Sequence, residues 1–176
     1  MFFVTDPDRT PDPLAVAMGL PRGAGVIFRG FGRPGAEDTA LSLARLARWR
    51  GLVLLIGHDE ALAARVGAAG VHLPERDLWR VRGVRQRHPR WLITGAAHSS
   101  RALSTARRLG LDLALVSTAF ASKSPSATRA LGPVRLAALA RGAGVATMAL
   151  GGVNGRTAQR LIGTGVAGFA AVEGLI

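Results

Sequence analysis

Eight short apolar runs of strand length recur along the chain, and segments whose apolar residues repeat at helical spacing lie between them. The pattern predicts strands over Phe2–Thr5, Gly25–Phe28, Leu52–Ile56, Gly70–Leu73, Trp91–Thr94, Leu113–Val116, Val145–Leu150 and Gly168–Val172. It predicts helices over Pro13–Gly19, Glu37–Arg50, Glu60–Ala68, Asp77–Arg87, Ser100–Leu109, Pro133–Arg141 and Thr157–Gly163. Alternation on this spacing implies a parallel sheet joined by right-handed crossovers. Eight units imply closure into an α/β fold of the (β/α)₈ TIM-barrel type. A doubly wound open sheet is the competing arrangement, because periodicity does not show whether the last strand pairs with the first. The strand count favours the barrel, as does the absence of a G-x-G-x-x-G after the first run. At 176 residues the chain fits one domain, residues 1–176, though barrels usually take ~200 to 250. It stops at Ile176, just past the eighth run, so the expectation is a barrel lacking its last helix. The open wall would be covered by the N-terminal segment or by a partner in a homodimer.

Composition narrows the chemistry. There is no Cys, which removes disulfides, thiolate catalysis and Cys-based zinc sites. No apolar run approaches the roughly 18 residues of a membrane span. The first residues lack the basic and apolar regions of a secretory signal, so the expected location is cytoplasmic. The formal charge is +12, from 23 basic and 11 acidic residues, and Lys123 is the sole lysine. Such a chain attracts anions, from small phosphates to nucleic acid. The densest basic run is Arg76–Arg90. Leu78, Val81 and Val84 form one buried stripe there, with Arg80, Arg82, Arg85 and Arg87 on the wet face. With no Tyr in the chain and no aromatic platform among these arginines, nucleic acid is not the expected partner.

In a barrel of this kind the active site lies at the C-terminal ends of the strands. Residues just past the predicted strands form a polar ring: Asp6, Arg29, His58, Asp59, Glu75, Asp77, His98, the loop 119–132, Gly151, Gly152 and Glu173. Arg29 offers a fixed fork of donors to a phosphate. Asp59 and Asp77 follow neighbouring strands and can converge on a hard cation such as Mg²⁺, or each can cap the helix it opens. The loop AFASKSPSATRALG, longer than the other connections, is a candidate lid carrying Ser122, Lys123 and Ser124. His98 stands where the fifth helix begins, which favours a neutral imidazole able to act as a base; a capping role fits equally. Gly151 and Gly152, in MALGGVNGRT, serve as an anion cradle or as an ordinary βα turn.

Taken together, V-T-D after the first strand, V-x-x-R at Val26–Arg29, GVHLPERDL at Gly70–Leu78, the His of AAHS, FASKS at Phe120–Ser124, LGP at Leu131–Pro133 and ALGGVN at Ala149–Asn154 resemble the thiamine phosphate synthase and TenI superfamily over nearly the whole chain. The resemblance implies a transferase of thiamine biosynthesis. Such an enzyme joins a hydroxymethylpyrimidine diphosphate to a thiazole phosphate and releases pyrophosphate with Mg²⁺ assistance. By the same resemblance Arg29 contacts pyrophosphate, and Asp77 is a metal ligand, with His58 or Asp59 standing in for the second. Ser122 and Ser124 contact phosphate in the lid, Gly151 and Gly152 take the thiazole phosphate, Glu173 stands beside it, and His98 and Lys123 are the catalytic candidates.

Several positions depart from the family's pattern. Arg-Glu-Lys is Arg29-Gly30-Phe31, Asn-Asp is Gly57-His58, Gly-Gln is Pro74-Glu75, the Ser of Ser-Thr-His is Ala96, and Glu173 replaces a small polar residue. A carboxylate at 173 repels a phosphate dianion unless a cation such as Arg156 compensates. Two alternatives follow. One is a TenI-like thiazole tautomerase, which needs no metal and keeps the His; the other is a non-catalytic barrel that binds a phosphorylated metabolite.

Overall fold

The computed structural model describes residues 1–122 and 129–174. Its first strand, β1 (Phe2–Val4), pairs in parallel with both β2 (Gly25–Phe28) and β8 (Gly168–Ala171). The sheet is therefore a closed eight-stranded barrel in sequence order. The remaining strands are β3 (Val53–Gly57), β4 (Gly70–Leu73), β5 (Leu92–Ala97), β6 (Leu113–Val116) and β7 (Ala146–Leu150). Helices α1 (Pro13–Met18), α2 (Ala36–Arg50), α3 (Glu60–Val66), α4 (Val81–Arg87), α5 (Ser100–Leu109), α6 (Gly132–Gly142) and α7 (Gly155–Ala158) follow β1 to β7 in turn. Among the described residues no helix follows β8, and none is long and apolar enough to cross a membrane.

Strands in such a barrel are covered on both faces, which is why they read as nearly unbroken apolar runs. Phe2, Val4, Ile27, Leu55, Leu115, Met148 and Ala170 fill the interior. Their neighbours Phe3, Val26, Ile56, Val71, Ile93, Ala114 and Ala149 point outward, beneath the helices. The helices begin where polar side chains can take their first free N–H groups: Asp12 caps α1, Asp59 caps α3, Ser99 caps α5 and Asn154 caps α7.

Two helical segments differ from the pattern. The stretch expected as a helix from Asp77 starts as a 3₁₀ turn over Glu75–Arg80, with Pro74 at its N-terminus, so Asp77 lies inside the turn and does not cap it. The segment expected over Thr157–Gly163 is one turn of α-helix followed by a 3₁₀ turn at Gln159–Leu161. Only Leu161 in it is buried, and Ile162 leaves the helical region at ψ 131°. One apolar contact does not sustain a longer helix.

The stripe Leu78, Val81 and Val84 is buried as expected. The arginines beside it are not a free basic face: Arg87 pairs with both oxygens of Glu60 at 2.7 and 2.9 Å, Arg80 lies 3.5 Å from the same carboxylate, and Arg85 pairs with Asp112 at 2.5 Å.

Candidate functional site

The C-terminal mouth of the barrel carries three polar groupings. Over β1, β2 and β8, Asp6 binds two guanidinium groups through one oxygen: Asp6 Oδ2 lies 3.0 Å from Arg9 and 3.2 Å from Arg29. Its other oxygen accepts the backbone N–H groups of Asp8 and Arg9. Arg29 is fixed further, donating from Nε to the Thr5 carbonyl at 2.7 Å, while its own N–H reaches the Thr5 hydroxyl. Burial alone would raise the Asp6 pKa, but the Arg9 hydrogen bond, the Asp8 N–H and the charges of Arg9 and Arg29 outweigh it and hold the carboxyl below its usual value. Burial lowers the Arg29 pKa against the opposing pull of Asp6. Glu173, half exposed, faces Arg9 at 4.0 Å. Among the described residues, Arg9 is therefore a cation placed near that carboxylate.

Over β3 and β4 stand His58, Asp59 and Asp77. His58 has a left-handed backbone, φ 68°, and its Nδ1 lies 3.1 Å from Asp77 Oδ2. That oxygen is buried and makes no hydrogen bond, so the His58 contact is a close approach of the two side chains, with the exposed Arg76 Nε 3.8 Å from the same oxygen. Asp59 faces elsewhere: its carboxylate accepts the Leu62 N–H at 2.8 Å as the cap of α3. Among the described residues no three His, Asp or Glu side chains are grouped to share a metal ion. The expected trio reduces to a pair, because Asp59 is taken up by the helix.

Over β5 and β6, the His98 N–H donates to Glu75 Oε2 at 2.7 Å. The exposed His98 ring places Nδ1 3.2 Å from the Ser117 carbonyl and 3.0 Å from its hydroxyl. Ser99, not His98, caps α5. Beneath the mouth His72, on the interior face of β4, contacts the buried Thr94 hydroxyl at 2.9 Å. Burial, with a smaller push from the Arg29 charge, drops the His72 pKa to about 4.

Gly151 and Gly152 both adopt left-handed backbone, φ 93° and 64°. A Cβ on Gly152 would meet the Ala121 carbonyl at 2.3 Å, and one on Gly151 would touch Thr118. The pair lets the end of β7 lie directly against the start of the β6 loop, whose Ala119 and Phe120 N–H groups donate to Leu150 and Gly151. Close backbone packing favours glycine at both positions. Ser122 lies at the edge of this loop, partly buried; Lys123 and Ser124 lie outside the described residues.

A family model described as thiamine monophosphate synthase matches residues 5–175. The chain belongs to this family. The thiamine-phosphate synthase of Marinobacter nauticus is 34% identical over 185 aligned positions, covering 99% of this chain and 82% of that protein. The Chromobacterium violaceum protein of the same description is 32% identical over 139 positions, covering 77% of this chain and 66% of its own length. Among solved structures, thiamine phosphate pyrophosphorylase from Pyrococcus furiosus superposes with TM-score 0.83 over 97% of this chain and 84% of that one, at 22% identity. That likeness is one of fold.

By the resemblance drawn from the sequence, Phe31 takes the place of the family's lysine. It is 67% exposed, has φ 48°, and holds its ring 5.2 Å from the Arg29 guanidinium carbon. Sequence reasoning passed over Arg9, His72, Thr94 and Ser117. Strand alternation could have found His72, which shares the interior face with Gly70; Arg9 and Ser117 lie in or beside loops and carry no such signal.

Proposed function

We propose that this chain is a synthase-like transferase of thiamine biosynthesis that joins hydroxymethylpyrimidine diphosphate to thiazole phosphate. In that reaction the thiazole nitrogen forms a bond to the pyrimidine methylene carbon. The bond from that carbon to the diphosphate oxygen breaks, and pyrophosphate leaves with the electron pair. Beyond family membership, the observation that carries this reading is the pair of arginines set side by side on Asp6 at the barrel mouth. A leaving diphosphate gathers negative charge. A guanidinium already held by Thr5 and Asp6 can meet that charge without reorganising. Arg29 is the residue assigned to the diphosphate, and Arg9 offsets Glu173 beside the second substrate.

Mg²⁺ takes an octahedral shell of oxygens. The residues present do not fit it well: Asp59 caps α3, and the partner left to Asp77 is an imidazole nitrogen. The chemistry assigned to the chain's own residues therefore stops at binding and charge compensation.

The test mixes the purified chain with both substrates, with and without added divalent metal, and follows thiamine phosphate and pyrophosphate. Product is expected, with Arg29→Ala lowering kcat/KM by about 100-fold, the scale of losing a positioned charge-assisted contact. No product under any metal condition overturns the reading.

One observation favours a second reading, the tautomerase. The exposed His98 ring stands at the barrel mouth with Nδ1 within reach of both the Ser117 carbonyl and the Ser117 hydroxyl, which hold an imidazole where a general base is needed. Loss of thiazole isomerisation in His98→Ala, with thiazole phosphate still raising the melting temperature, would establish it. Stabilisation without turnover of either kind would leave a phosphometabolite-binding barrel.

A further inference from the structure

We propose that the end of the barrel opposite the mouth, where the strands begin, is a docking face for single-stranded nucleic acid. Charge is divided between the two ends of the molecule. The stretches that run from the last turn of a helix to the next strand, residues 18–24, 47–52, 64–69, 85–91, 107–112, 140–145 and 162–167, hold ten arginines and one acid, Asp112. The other ten acids of the chain lie at the mouth end, each between a strand and the first turn of the next helix or, for Glu173, just past β8. Arg85 pairs with Asp112, and Arg65 and Arg87 reach Glu37 and Glu60. The seven remaining arginines of these stretches form no ion pair among the described residues. All of them but Arg50 are exposed.

Their placement is regular. The Arg22 guanidinium carbon lies 3.2 Å from where a Cβ on Gly51 would stand, and Arg48 Nη1 lies 3.8 Å from the corresponding point at Gly67; Arg107 lies against Gly144 and Arg141 against Gly165 in the same way. Each arginine leans from its own connection across the next one, so the positive charge forms an arc around the strand beginnings. The helix dipole favours a base in a last turn. It does not account for Arg22 and Arg90, which stand outside helices, or for the aromatic rings beside the arginines. Trp49 is 70% exposed, with the Arg50 guanidinium carbon 5.8 Å from its ring centre. Trp91, at the entry to β5, stacks on His88 at 3.6 Å and follows Arg90 in the chain. The Arg76–Arg90 run alone does not call for nucleic acid; the fold adds to it an indole from α2 and arginines from four other connections. Guanidinium forks match phosphate oxygens, and an exposed indole takes a stacked base. A duplex hides its base faces, and an acidic protein or anionic membrane offers charge with no base to stack, so the pairing of guanidinium with indole favours a single strand.

The face lies opposite the mouth, so it stands or falls apart from the synthase reading. The experiment follows the fluorescence anisotropy of a labelled oligouridylate titrated with the whole chain at several salt concentrations, with unlabelled oligouridylate, duplex RNA, polyglutamate and phosphatidylserine vesicles as competitors. The logarithm of the affinity should fall linearly with the logarithm of salt concentration. Replacing both Arg48→Ala and Arg107→Ala should weaken binding by about tenfold or more and flatten the salt slope by about 0.7 for each arginine removed. Trp49→Ala should weaken binding by about fivefold or more with the slope unchanged, and Trp49→Phe should restore most of the loss. Arg101→Ala removes the same charge from the first turn of α5, at the mouth end, and should leave the affinity unchanged. These four side chains are exposed, so melting temperatures should match across the variants. No binding at low salt, an equal loss in Arg101→Ala, or full affinity in Trp49→Ala would overturn the proposal. Competition by polyglutamate, vesicles or duplex as strong as that by unlabelled oligouridylate would make the face one for polyanions at large, and would overturn it too.

Discussion

Asp59 and Asp77 bring the same carboxylate to neighbouring strand ends, and the backbone around each decides its use. Asp59 stands one residue before α3 with extended φ and ψ, so its side chain reaches the Leu62 N–H. Removing a cap of this kind costs about 1 kcal/mol. Asp59→Ala should therefore lower stability by about that amount in denaturant titration. Asp77 lies within a 3₁₀ turn with a buried oxygen that makes no hydrogen bond. Asp77→Asn should change stability little in the same titration, because the oxygen it replaces makes no hydrogen bond; a clear loss would mean that its contact with His58 is a strong ion pair. The sequence placed both residues just past neighbouring strands, where the structure has them, and the candidate site was legible to that extent. It could not say which carboxylate the helix would claim, because a cap and a metal ligand ask for the same residue at the same place.

At the scale of elements, the strands were readable because both faces of each are apolar, a pattern helices of this length do not share. The ends of the elements were less so. Pro74 diverted the fourth helix into a 3₁₀ start, and the seventh shrank to one turn for want of apolar contacts. The glycine pair after β7 shows the limit most clearly, since a cradle and a tight crossing both require Gly at positive φ. The structure supplies a crossing: Gly152 lies under the Phe120–Ala121 peptide. Gly152→Ala should destabilise by roughly 2 kcal/mol or more, combining a left-handed φ with a backbone collision. Gly155→Ala, in open space at the start of α7, should be neutral or stabilising by roughly 0.5 kcal/mol. Similar melting temperatures for the two variants would show that the β6 loop is free to move off the glycines.

For the molecule as a whole, closure of the barrel forces polar residues near the strand ends to share an enclosed interior, and His72 registers this. Its pKa falls from 6.5 to about 4, chiefly through burial. In the unfolded chain the imidazole takes up a proton as pH drops through 6.5, whereas in the barrel it stays neutral until about 4. The unfolded state therefore binds more protons between those values, and stability must fall as pH is lowered across that window. Asp6 and Glu60, whose pKa values are lowered in the fold, add a loss that begins only as pH falls through their unfolded values of 3.8 and 4.5. The growing positive charge of a chain already at +12 also opposes folding in acid, but salt screens that repulsion far more than it affects a group inside the barrel. Thermal unfolding measured at high salt from pH 7 down to 4 should thus show a falling melting temperature in the unaltered chain and a much flatter profile in His72→Gln. Parallel slopes in the two would mean that the His72 ring is hydrated within the mouth and that the acid sensitivity arises elsewhere.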